Sequence, residues 1–328
     1  MVDGNVLDLL TEIFNNCIII ISNFNINKLQ KLLYTRKVPT KKPSLSLSND
    51  KIIKIKIAGI GVGIRTDHTK IRGKILNLVK NYVSSYEPDF FINLEYIRSL
   101  KPIIRGKLKR CSKAIEIIYN GNKRHILHSD KETLLQFDSR LQNINGYITN
   151  SNNLIILRYL APLVLIKLLE QKRGAYVHAC GVEDNNQGFL FVGPSGSGKS
   201  TIAKLSKYMG KVVLGNESLF IRKEKGRILI CNSFWDGKKI NSTFPTKDVI
   251  LHKIFFIQHA KKNFTKFLRP PVVVSELIKN GCPGVLNSQE IINLFYFYTD
   301  VVNNVPCYRL GFTPKEQMWK YIENFKGH

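Results

Sequence analysis

Gly193-Pro194-Ser195-Gly196-Ser197-Gly198-Lys199-Ser200 fits the pattern Gly-x-x-x-x-Gly-Lys-Ser/Thr, and Thr201 follows it. The chemistry of that spacing is phosphate capture. Glycines let the backbone curl until successive N–H groups point at phosphate oxygens, and the following helix N-terminus adds partial positive charge. A lysine at position 199 reaches β- and γ-phosphates, and a hydroxyl at position 200 can hold Mg²⁺. The competing reading is a plain glycine-rich turn between a strand and a helix. Flanks decide between them: an apolar strand, Gly188–Val192, runs into the loop, and helical spacing runs from Lys199 to about Met209. The loop alone does not choose among ATPase, GTPase, kinase and carboxykinase.

The elements around the loop are legible as short runs. Ala175–Val182 and Gly188–Val192 read as two strands joined by the polar Glu183–Gln187, a hairpin. If Val182 pairs with Gly188, His178 stands opposite Val192, one residue before the loop. A histidine satisfied inside a strand pair is the bland alternative. Its place beside the phosphates suggests orienting an acid or meeting a transferring phosphoryl group. Further strands are expected at Val212–Gly215 and Ile250–Gln258, with a hairpin around Lys223–Gly226. Thr313-Pro314-Lys315-Glu316 has the cap, first-turn proline and N3 glutamate that start a terminal helix.

Upstream, Val6–Ile13 has a helical apolar pattern, and the polar, proline-containing Thr35–Asp50 has a linker's composition. Ile52–Ile64 reads as a strand interrupted by Gly59, Gly61 and Gly63, and Lys70–Val83 as a helix. Strands are expected at Phe90–Tyr96, Ala114–Tyr119 and His125–Ser129, with Asn120-Gly121-Asn122 turning between the last two. Leu154–Gln171 is apolar enough for a buried helix that Gly174 ends. This divides the chain into a helical segment with linker at 1–50, a small α+β domain at 51–150, and an α/β P-loop domain at 151–328.

The segment from His178 to Glu217 resembles the catalytic domain of the HPr kinase/phosphorylase family, which shares its fold with phosphoenolpyruvate carboxykinase. Three pieces carry the resemblance: Tyr176-Val177-His178-Ala179-Cys180-Gly181-Val182, the loop, and Gly210-Lys211-Val212-Val213-Leu214-Gly215-Asn216-Glu217. Asn216 and Glu217 follow Lys199 by 17 and 18 positions, where the family carries an acidic pair. Phe234-Trp235-Asp236-Gly237 and Lys253-Ile254-Phe255-Phe256-Ile257 look like its continuation. The resemblance implies an ATP-dependent, Mg²⁺-requiring kinase that phosphorylates a hydroxyl, on a serine of a peptide or protein or on a small metabolite. Its residues would be His178, Asn216 and Glu217 for catalysis, Gly193 to Thr201 for nucleotide, and Ser200, Glu217 and Asp236 for metal.

One position departs from the pattern. The family's first acid is its proton acceptor, and Asn216 replaces it with an amide that can ligate Mg²⁺ but accepts no proton near neutral pH. Glu217 is the nearest carboxylate, and it reaches the γ-phosphate only if the strand before it has ended. A nucleotide-binding sensor without phosphotransfer is therefore the second reading.

Composition bounds the rest. The 328 residues are 44% hydrophobic, enough for a substantial core and about two domains. A net charge of +26 favours polyanions, but the lysines are spread along the chain with no zinc-finger or RNP-like pattern, so nucleic acid is the weakest reading. Six scattered cysteines (Cys17, Cys111, Cys180, Cys231, Cys282, Cys307) without a C-x-x-C pair read as reduced thiols of a cytoplasmic protein. The longest N-terminal apolar run, Cys17–Ile21, is too short for a membrane span. The family's homo-oligomers leave an oligomer open.

Overall fold

The computed structural model describes residues 52–101, 108–110, 115–120, 123–128, 131–138, 140–142, 144–233, 235–236, 239–240, 244–281 and 286–325. The helix expected at 6–13, the linker at 35–50, and Cys17, Cys111 and Cys282 lie outside those residues. Within them the chain is a mixed α/β fold built on two large mixed sheets.

The first sheet starts where a single interrupted strand was expected. Ile52–Ile57 (β1) and Ile60–Arg65 (β2) form a hairpin, with Ile53, Ile55 and Ile57 inward and Lys54 and Lys56 more exposed. Its turn is Ala58 and Gly59, both at positive φ (49° and 79°), as a two-residue type I′ turn requires. Helix Thr69–Val79 (α1) buries the stripe Ile71, Ile75 and Val79 and crosses to the parallel strand Phe90–Tyr96 (β3). Leu108–Arg110 (β4), Ile115–Asn120 (β5), Lys123–His128 (β6), Thr133–Asp138 (β7) and Ile144–Ile148 (β8) complete the order β1-β2-β3-β8-β7-β6-β5-β4. β5 and β6 pair Asn120 with Lys123 across the expected turn. β4, β7 and β8 have no counterpart among the strands expected from sequence.

The apolar 154–171 segment is a 3₁₀ turn, Ile155–Tyr159, leading into helix Leu160–Glu170 (α2). α2 is buried on nearly all sides because it packs against β2, against strand Gly174–Val177 (β9) and against helix Ser288–Asn304 (α5). Gly174 does not end it. Lys172 takes the left-handed position (φ 52°), and Gly174 already belongs to β9, where an added Cβ would lie 2.9 Å from Leu168 Cδ2.

The second sheet holds Ala179–Asp184 (β10), Gln187–Val192 (β11), Val212–Gly215 (β12), Leu219–Glu224 (β13), Arg227–Asn232 (β14), Val249–His259 (β17), Phe264–Phe267 (β18) and Cys307–Phe312 (β19), along with β9. Trp235–Asp236 (β15) and Lys239–Ile240 (β16) pair separately. Helices Lys199–Tyr208 (α3), Pro270–Gly281 (α4) and Gln317–Asn324 (α6) join α5 around it. β17 is shared: Val249 and Ile250 pair with β14, while later residues lie parallel between β11 and β19.

Three local expectations are corrected here. Ala175–Val182 is two strands, since β9 pairs with β13 whereas β10 pairs with β11 and β12. The β10–β11 register is one residue off the expected one, with Glu183 opposite Gly188 and Ala179 opposite Val192. The terminal helix begins at Gln317, because Asn263 Oδ1 accepts from Thr313 N–H at 2.8 Å and from its hydroxyl at 3.2 Å, taking Thr313 away from capping.

A buried ion pair ties the first sheet to helix α5. Arg124 on β6 donates to both oxygens of Glu290 on α5, at 2.9 and 2.8 Å, with both side chains under a tenth exposed. Glu290 also closes the capping box with Asn287 that starts α5. No helix among the described residues is long and apolar enough to cross a membrane.

Candidate functional site

Parallel strands put their carboxyl ends on one edge, and loops at that edge are where α/β folds bind ligands. Along this edge stand the ends of β12, β11, β17 and β19, with the start of β10 between the first two. β11 is buried from Gly188 to Val192 by its apolar side chains, and the loop leaves directly from it. The loop closes with Ser197 N–H donating to Pro194 O at 3.2 Å, and α3 opens with Ile202 N–H donating to Gly198 O at 2.9 Å. Gly198 has φ +106°, and a Cβ there would lie 2.5 Å from Phe312 Cζ, so conformation and space both demand glycine. Pro194, Ser195 and Gly196 are exposed, Gly193 is buried, and Thr201 is half-buried.

Lys199 is folded back on the loop. Its Nζ donates to Gly193 O at 2.6 Å and Pro194 O at 2.9 Å, and the residue is 5% exposed. Burial pulls its pKa below the ordinary lysine value, while Glu217 and Cys180 oppose that shift. Cys180 is itself buried, and desolvation pushes its thiol up to about 12.

β12 ends at Gly215, so Asn216 and Glu217 lie in a bend rather than on alternating strand faces. Buried polar side chains hold that bend. Asn232 Nδ2 donates to Leu214 O at 2.9 Å, Ser233 Oγ donates to Ser218 O at 2.8 Å, and Tyr176 OH meets Ser218 Oγ at 2.7 Å. Asn216 Nδ2 consequently reaches Ser200 Oγ at 3.2 Å, while its Oδ1 is buried with no hydrogen-bond partner.

His178 sits at the break between β9 and β10, where it belongs to neither ladder and its N–H donates to Asn280 O at 2.9 Å. Its Nδ1 is 2.7 Å from Glu217 O and 3.6 Å from Glu217 Oε2. A carbonyl only accepts, so Nδ1 carries the proton and Nε2 of the neutral ring keeps its lone pair. Burial first, then Lys199, lowers the His178 pKa, with Glu217 opposing.

Of the residues singled out by sequence, the structure brings His178, Lys199, Ser200, Asn216 and Glu217 to one edge. Asp236 pairs through its backbone with Lys239 in β15–β16, and its side chain lies outside the described residues. Among the described residues no group of three His, Cys, Asp or Glu could hold a metal. The oxygens present are Ser200 Oγ, the orphaned Asn216 Oδ1 and the Glu217 carboxylate. They are hard donors that suit Mg²⁺ when phosphates and waters fill the rest of its shell. Sequence reasoning missed the supports Tyr176, Ser218, Asn232 and Asn280, for which no motif exists. It also missed His259, whose ring lies against the loop; only its place at a strand's carboxyl end could have drawn attention to it.

No family model matches the chain, and no curated protein matches it. Among solved structures, an HPr(Ser) kinase/phosphatase from Coxiella burnetii aligns over 45% of this chain and 91% of its own, at 12% sequence identity and a TM-score of 0.27, a distant likeness that carries no argument about activity.

Proposed function

We propose that this chain is an ATP-dependent, HPr kinase-like P-loop kinase that transfers the γ-phosphoryl group to a hydroxyl of a peptide or protein serine or of a small metabolite. The carrying observation is the bend at 216–217, which sets Asn216 against Ser200 and Glu217 against His178 beside Lys199. Lys199 leaves the loop carbonyls to meet the β- and γ-phosphates. Ser200 Oγ, Asn216 Oδ1 and Glu217 would hold Mg²⁺, which supplies neutralisation of the developing phosphate charge. The acceptor hydroxyl gives its proton to the lone pair on His178 Nε2, or to the Glu217 carboxylate where Ser200 and Asn216 hold the metal without it. Its oxygen bonds to the γ-phosphorus as the bridging P–O bond breaks and ADP departs. Positioning and charge provide most of the rate, because the transition state is loose. The free, buried thiols of Cys180, Cys231 and Cys307 suit a cytoplasmic setting.

The test is γ-labelled ATP with Mg²⁺, seryl peptides and small hydroxyl compounds, with Lys199→Ala as the control. Label on an acceptor, lost in the control, supports transfer; label released only as inorganic phosphate overturns it. The amide at 216 favours a second reading, a nucleotide sensor, which requires Lys199-dependent binding with no turnover.

A further inference from the structure

The candidate site defines only the phosphate end of a nucleotide. His178 directly precedes β10, and Asn216 and Glu217 directly follow β12; both strands lie on one side of β11. With the γ-phosphate and metal on that side, the rest of the nucleotide must leave toward the other, over the carboxyl ends of β17 and β19. Strands stand about 4.8 Å apart, so those two ends span roughly 10 Å beyond the loop, about the reach of a nucleoside.

A ring is waiting there. His259 is the last residue of β17 and is exposed, and its imidazole lies 5.3 Å from the Phe312 ring, tilted 33°. Both rings adjoin the loop: a Cβ on Gly198 would be 2.5 Å from Phe312 Cζ and 3.1 Å from His259 Cε1. Phe312 is fully buried among apolar neighbours, so it fixes the ring above it. The segment after His259 is pinned as well. Ala260 N–H donates to Phe312 O at 3.0 Å, and Asn263 Oδ1 accepts from Thr313 N–H at 2.8 Å. The ledge is therefore preformed, and little ordering entropy is lost when a flat ligand settles on it.

We propose that His259, backed by Phe312, is the platform on which the nucleobase of the bound nucleotide stacks. This rests on the phosphate-loop reading and adds to it a nucleoside subsite on the β17–β19 side. A base face on an aromatic ring is recognised without hydrogen-bond readout, so the contact gives affinity for nucleotide over bare polyphosphate more than choice between bases.

ADP and pyrophosphate share the diphosphate and differ by the nucleoside and by one charge that favours pyrophosphate, so tighter binding of ADP reports the nucleoside. Calorimetric titrations of both, with Mg²⁺, are run on the full chain and on its His259→Ala and His259→Tyr variants. The wild type should bind ADP more tightly than pyrophosphate. His259→Ala should weaken ADP about five- to hundredfold, the range for loss of one base–aromatic stack. Pyrophosphate should stay within about twofold, because the loop's own contacts with phosphate are untouched. His259→Tyr, which keeps a ring, should retain most of the ADP affinity. Unchanged ADP binding in His259→Ala, or equal losses for both ligands, overturns the platform while leaving the phosphate loop standing. A wild type that binds neither ligand overturns both.

Discussion

Asn216→Asp separates a working kinase from a sensor. The substitution is nearly isosteric, and the bend that carries it is held by Asn232, Ser233 and Ser218 rather than by residue 216. The hydrogen bond from Asn216 Nδ2 to Ser200 Oγ at 3.2 Å would be replaced by one donated from the serine hydroxyl to a carboxylate. The oxygen now buried without a partner would become a carboxylate oxygen, a stronger Mg²⁺ ligand than an amide. A positioned general base is worth about 10²–10⁴ in rate. Glu217 and the His178 Nε2 lone pair already stand at this edge, so the gain should fall at or below the bottom of that range, about ten- to hundredfold in kcat. That equals about 1.4–2.7 kcal/mol of barrier at roughly 1.36 kcal/mol per decade. ADP release and label transfer at saturating ATP and Mg²⁺ measure it, with ADP affinity as a check on the fold. A variant that binds ADP like wild type yet turns over no faster refutes the reasoning. A slower variant would make the amide itself the working group.

Three further outcomes follow from the geometry. Gly198→Ala forces a side chain to φ +106° and into fully buried Phe312, which should cost about 2–5 kcal/mol in urea unfolding and abolish ADP binding; a loss under about 1 kcal/mol contradicts the packing. His178 has its pKa lowered below 6.5, so between the folded and unfolded values the unfolded chain binds more protons; this contribution is complete above about pH 6.5 and is lost as pH falls through the folded value. Turnover should therefore be flat between about pH 7 and 8 and fall on the acid side, and the unfolding midpoint of His178→Gln should lose less than wild type on going from about pH 7.5 to 5.5. Arg124→Met leaves buried Glu290 without its bidentate partner and should cost about 3–5 kcal/mol by chemical denaturation, whereas Arg124→Met with Glu290→Gln should recover most of it.

What could be read from the sequence was whatever local pattern alone decides. β3 and β12 match the expected 90–96 and 212–215 residue for residue, and Lys225 and Gly226 form the expected turn. Ala175–Val182 failed because periodicity sees an apolar run, not its partners; here one half bonds to β13 and the other to β11. The glycines in Ile52–Ile64 looked like breaks in a strand, while only Gly59 is in a turn and Gly61 and Gly63 lie within β2. Thr313 carried a sound capping pattern that a distant side chain, Asn263, overrode. The reverse holds at Asn287, whose Asn-x-x-Glu spacing before α5 does form a capping box. At the site, the loop was legible because its chemistry is contiguous. The contact of Asn216 with Ser200 and the ring at His259 depend on which strands lie side by side, which no spacing encodes.

The lysine folded onto its own loop has a consequence for which ligands gain entry. Its two hydrogen bonds to Gly193 O and Pro194 O hold a charged group in a nearly dry place, and each such bond is worth roughly 1.5–3 kcal/mol. A ligand must replace both before it engages the lysine. A monophosphate offers one phosphoryl group for that exchange, while a di- or triphosphate offers two or three and can engage the lysine and the helix N-terminus together. On the proposed reading, a lysine held this way would favour polyphosphate chains over single phosphate groups.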